Sequence, residues 1–122
     1  MGKFVIRKNA TGIKFDLKAG NGEVIATSEV YESEAACKNG VESVRKNAPV
    51  ANGEDQTVEG FEKAKCPKFE IYADKAGEFR FRLKARNGQI IATSEGYTTK
   101  NACENGVESV RKNAPEAAVE EA

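Results

Sequence analysis

One long stretch of this chain occurs twice. Residues 17–49 return as residues 83–115 at a constant offset of 66, so that Leu17 answers Leu83 and Pro49 answers Pro115. The run GVESVRKNAP is unchanged between residues 40–49 and 106–115. A repeat of this period fixes an architecture before any local motif is weighed. Each copy, at roughly 50–60 residues, buries too little surface to be stable with ease on its own. Two copies sharing one core solve that problem. With 122 residues, 39% of them hydrophobic, the expectation is a single pseudo-twofold domain over residues 1–122, with repeat 1 at 3–61 and repeat 2 at 68–122.

Each copy opens with a period-two run, Phe4 and Ile6 in the first and Phe69 and Ile71 in the second. Alternation of aromatic and β-branched residues reads as a half-buried strand. The turns NATG and DKAG follow, with Asn or Asp first and Gly last, the type I preference. Second strands carry Ile13, Phe15 and Leu17, or Phe79, Phe81 and Leu83. The second copy holds one extra residue here, which a bulge or a longer turn absorbs. Asn21-Gly22 and Asn87-Gly88 predict type I′ hairpins leading into third strands at residues 24–28 and 90–94. Ser33 and Thr99 are placed to cap helices whose apolar stripes are Cys37, Val41, Val44, Ala48 and Cys103, Val107, Val110, Ala114. Asn47 and Asn113 are candidates for left-handed caps, and Pro49 and Pro115 end the helices. Each unit is therefore β-β-β-α. Residues 56–61 are compatible with one further short strand. Ala118 and Val119 form either its counterpart or a frayed tail.

These residues resemble the YegP-like family of uncharacterised tandem-repeat proteins. The resemblance rests on LKAGNGEVIATSE-x-Y and LKARNGQIIATSE-x-Y, each followed by an Ala-Cys-x-Asn-Gly-Val-Glu-Ser-Val-Arg-Lys-Asn-Ala-Pro helix, and it covers nearly the whole chain. It implies an α+β fold: two tandem β3-α-β repeats forming one antiparallel sheet, two helices packed on one face, and the C-terminal strands of the repeats swapped. It further implies that residues 56–61, or a segment close by, form a swapped strand. The chain would be a monomer equivalent to a fused homodimer. The family lends no established activity and no catalytic residues.

Nineteen basic and nineteen acidic side chains cancel, so no net charge argues for nucleic acid. A local basic face remains compatible with a neutral total. The chain has no His and no CxxC pair, which speaks against the usual zinc sites; no metal or cofactor is expected. No stretch approaches the roughly 20 apolar residues of a membrane span. MGKFVIRKNA lacks the apolar run and cleavage site of a signal peptide. A cytoplasmic protein with reduced thiols at Cys37, Cys66 and Cys103 is expected.

The candidate ligand-binding residues are the cations of the repeated helix ends, Arg45, Lys46, Arg111 and Lys112, and those of one strand, Arg80, Arg82 and Lys84. Arginine forks suit phosphate and carboxylate. The competing reading is structural, since cations in a last helical turn oppose the helix dipole favourably by about 0.3–1 kcal/mol each. Glu29 and Glu95 recur in Thr-Ser-Glu-x-Tyr and offer an acid–base pair only if they converge. Cys37 and Cys103 lack the neighbouring base that a nucleophile needs. The expectation is a small non-enzymatic interaction module for an anionic ligand or a macromolecule. The alternatives are an enzyme or redox sensor using the repeated glutamates or cysteines, and weak nucleic-acid binding through the basic strand.

Overall fold

The computed structural model describes residues 2–122. The first copy gives β1 (Lys3–Asn9), β2 (Gly12–Lys18), β3 (Val24–Thr27), α1 (Glu34–Asn47), a 3₁₀ turn at Ala48–Val50 and β4 (Asn52–Asp55). The second gives β5 (Lys68–Ala73), β6 (Phe79–Lys84), β7 (Ile90–Thr93), α2 (Lys100–Asn113), a 3₁₀ turn at Ala114–Glu116 and β8 (Ala118–Glu121). All eight strands form one sheet in the order β4-β5-β6-β7-β3-β2-β1-β8. The two copies meet at the centre, where Thr27 of β3 stands opposite Thr93 of β7.

The sheet is mixed rather than antiparallel. The six inner strands run antiparallel, but β4 pairs parallel with β5 and β8 pairs parallel with β1. Parallel neighbours in sequence need a crossover of about a dozen residues or more, and residues 56–67 supply it between β4 and β5. The strand between the copies is Asn52–Asp55, not residues 56–61, which lie in the following turn and loop. The tail is a strand rather than a frayed end.

Period-two alternation places Phe4, Ile6, Phe15, Leu17, Phe69, Ile71, Phe81 and Leu83 on one face. The helix stripes Cys37, Val41, Val44, Ala48 and Cys103, Val107, Val110, Ala114 close over them, all in one core. Phe4 meets Phe15 edge-on at 5.7 Å, and Phe69 meets Phe81 at 5.9 Å. These geometries suit the aromatic quadrupole. Ser33 Oγ accepts from Ala36 N–H and Thr99 Oγ1 from Ala102 N–H, both at 3.1 Å, so both N-caps form. No helix is long and apolar enough to cross a membrane.

Two turn expectations need correction. Asn21 and Asn87 do not take positive φ; only Gly22 and Gly88 do, at 87° and 84°. The Gly22 and Gly88 N–H groups donate to the carbonyls of Ala19 and Ala85, both at 2.9 Å. The connection is thus a type I turn followed by a glycine in the left-handed region. The Asn side chains accept from the N–H of Glu23 and Gln89. Likewise Asn47 and Asn113 stay right-handed. Their side-chain amides donate to the carbonyls of Ser43 and Ser109, at 2.7 and 2.8 Å, a further bond onto the preceding helical turn. The extra residue of the second copy lengthens the β5–β6 turn, with Gly77 at φ 83°.

Candidate functional site

Alternation along β6 turns Arg80, Arg82 and Lys84 to the sheet face away from the helices. All three meet carboxylates there. Arg80 pairs with Asp74 at 2.7 Å, while Arg82 and Lys84 both pair with Glu70. Lys68 joins Glu70 at 3.0 Å to Glu54 of β4 at 2.8 Å. Glu54, Glu70 and Lys68 are almost fully buried, their side chains 1%, 3% and 9% exposed. Burial alone would raise the Glu70 carboxyl, but hydrogen bonds from Arg82, Lys68 and Lys84 outweigh it and hold its pKa at about 2. Over β4–β6 the face is a mutually neutralised lattice, and Lys68 ties β4 to the sheet through it.

The repeated arginines on the helix ends reach across to the other copy. Arg45 Nη1 donates to the carbonyls of Ala117 and Pro115, at 2.7 and 3.3 Å. Arg111 Nη1 donates to those of Ala51 and Ala48, at 2.7 and 3.2 Å. Their Nε atoms pair with Glu42 and Glu108, one helical turn back. Their guanidinium carbons stand 5.4 Å from the Phe4 ring and 4.9 Å from the Phe69 ring. Arg45 thus holds the lead-in to β8 and Arg111 the lead-in to β4.

Of the predicted helix-end cations, Lys46 and Lys112 remain exposed without an ion pair among the described residues. Lys46 lines a cleft of about 670 Å³ between the end of α1 and the β6–β7 turn, with Ser43, Asn47, Val50, Ala85, Arg86 and Asn87. Arg86 is likewise exposed and outside every ion pair of the described residues. The cleft joins the two copies, because the central β3–β7 seam brings the β6–β7 hairpin beside α1. Sequence reasoning did not select Arg86 as a site residue. Its signal was local: it is the one cation in the two Asn-Gly turns, where the first copy has Gly20.

Comparison with known proteins places this arrangement. The family described as a domain of unknown function, DUF1508, matches residues 6–55 and 74–121. This chain belongs to the DUF1508 family. A UPF0339 protein from the 5′ region of the ptx operon of Stutzerimonas stutzeri is 40% identical over 121 residues, covering 98% of this chain and 96% of the relative. The solution structure of a UPF0339 protein from Shewanella oneidensis superposes with a TM-score of 0.80 at 35% identity, covering 98% of this chain and 90% of that one. That of yegP from E. coli gives 0.79 at 36%, covering 98% and 91%. The YegP resemblance and the α+β fold are thereby established.

The repeated acids and thiols of this DUF1508 chain sit apart from the cleft. Because β3 and β7 run antiparallel through Thr27 and Thr93, Glu29 and Glu95 leave the seam in opposite directions, and both are exposed. They do not converge as an acid–base pair requires. Cys37 and Cys103 are 0% exposed in the core. Burial raises both thiols, that of Cys103 to about 11, and so suppresses the nucleophilic thiolate. Among the described residues no group of three metal-ligating side chains gathers.

Proposed function

We propose that this DUF1508 chain is a small non-enzymatic binding module, a single pseudo-twofold unit of residues 3–61 and 68–122, whose ligand is anionic. The observation that carries this reading is the pairing state of its cations. Arg80, Arg82 and Lys84 are engaged by carboxylates, and Arg45 and Arg111 by carbonyls and glutamates. Lys46 and Arg86 instead line one cleft without an acidic partner among the described residues. The negative end of the α1 dipole opposes an anion there by about 0.3–1 kcal/mol. Hydrogen bonds to a charged partner contribute about 1.5–3 kcal/mol each, so two cations outweigh it.

The test is retention of the full chain on a heparin column. Lys46→Ala with Arg86→Ala lowers the eluting salt concentration substantially. Lys63→Ala with Lys75→Ala removes the same charge from exposed positions elsewhere and lowers it less. Equal losses in the two double variants would contradict a localised site.

A further inference from the structure

We infer that the cleft is a site for a phosphorylated sugar, a phosphate head on a small polyhydroxyl body, and that the chain holds one such site although its sequence is duplicated. This rests on the anion-binding reading above and sharpens it.

The cleft continues. Beyond Ser43, Ala85 and Asn87, which line both stretches, a further pocket of about 200 Å³ runs along α1, lined by Tyr31, Asn39, Gly40, Gln89 and Ile91 among others. One end of the groove is cationic, through Lys46 and Arg86. The other carries no charged side chain and offers the amides of Asn39, Asn87 and Gln89 with an aromatic ring. A side-chain amide both donates and accepts, which matches the paired donor and acceptor character of neighbouring hydroxyls. A planar fork with an ammonium suits the head group. A volume of about 670 Å³ at the cationic end alone exceeds what an inorganic anion fills. An extended polyanion would meet charge at one end only.

The equivalent groove between α2 and the β2–β3 turn keeps Ser109, Lys112, Asn113, Ala19 and Asn21. It differs where charge matters: Gly20 replaces Arg86, Glu116 replaces Val50 and Glu23 replaces Gln89. One cation is lost and two carboxylates are gained, which removes the anionic preference. The backbone of Gly2 also packs there, close enough that a Cβ would lie 2.7 Å from Asn113 Oδ1.

The experiment is calorimetric and ¹⁵N NMR titration of the full chain with ribose 5-phosphate, glucose 6-phosphate and inorganic phosphate. The expected result is one equivalent of at least one sugar phosphate, bound about tenfold tighter than inorganic phosphate, with shifts at Arg86, Asn87 and Gln89. Asn39→Ala with Gln89→Ala removes the tenfold preference and keeps phosphate binding. Lys46→Ala with Arg86→Ala removes both. Sugar phosphates binding no tighter than phosphate, with phosphate still dependent on Lys46 and Arg86, would overturn the sugar proposal alone. Two equivalents on the unaltered chain would overturn the single site. No anion shifting the cleft would overturn the anion reading itself.

Discussion

Arg45 donates from Nη1 to the carbonyl oxygen of Ala117 at 2.7 Å, joining the last turn of α1 to the residue before β8. Arg111 and Ala51 repeat the bond at the same distance on the other side of the pseudo-twofold. Each helix thereby fastens the strand that the other copy sends across the sheet.

Replacing Arg45 by Met keeps the aliphatic stem near Phe4 but leaves the carbonyls of Pro115 and Ala117 without their charged donor. The expected loss is about 2–3 kcal/mol in urea unfolding. Lys46→Met, one residue on and exposed, stays within about 0.5 kcal/mol of the unaltered protein. Comparable losses in both variants would show that the Arg45 bonds carry no special weight.

The Glu70 network predicts an acid-labile contribution to stability. The folded-state pKa, about 2, lies below the ordinary value of 4.5. The contribution is therefore complete above pH 4.5 and disappears as the pH falls toward 2. A shift of this size corresponds to at most on the order of 3 kcal/mol. Urea unfolding of Glu70→Gln at pH 6 and pH 3 should show a smaller drop between the two conditions than the unaltered chain. Equal drops would mean that the lattice does not perturb this carboxyl.

Gly40 and Gly106 are packing glycines. A Cβ on Gly40 would fall inside contact distance of the Tyr31 hydroxyl and 2.7 Å from the adjacent ring carbon; at Gly106 it meets Tyr97 in the same way. Gly40→Ala and Gly106→Ala should each lower stability by about 1–3 kcal/mol, read as a fall in melting temperature. An unchanged melting temperature would show that the tyrosines do not pack against the helices.

Cys37 and Cys103 have no exposed surface, and Cys66 is half-buried in the loop before β5. A thiol reagent at pH 8 should modify one cysteine in the folded protein and three after denaturation. Rapid modification of all three in the folded state would contradict the core placement.

Much of this architecture was legible in the residues. Phe15, Leu17, Phe81 and Leu83 alternate as strand cores must, and Cys37, Val41, Val44 and Ala48 follow a helical face. Ser33 and Thr99 bring the side-chain oxygens that helix starts require. What the pattern hid is β4. Its residues Asn52, Gly53, Glu54 and Asp55 have no apolar alternation, because this strand is held by Lys68 on Glu54 rather than by a greasy face. The type I′ expectation failed because the strands stay paired only as far as Ala19 with Glu23 and Ala85 with Gln89, so that three residues rather than two make the connection and glycine alone needs the left-handed region. The candidate site was half visible. Lys46 stands out in a repeated motif, but its neighbour Arg86 is 40 residues away and belongs to the other copy, a meeting that only the β3–β7 seam creates.

The central claim is that each copy completes the other's half of the sheet. Nuclear Overhauser contacts between backbone protons of the outer strands test it most directly. The account predicts cross-peaks joining β8 to β1, around Lys3 with Ala118 and Val5 with Glu120, and joining β4 to β5, around Asn52 with Lys68 and Glu54 with Glu70. Cross-peaks joining β4 to β1 and β8 to β5, each copy closing on itself, would contradict it.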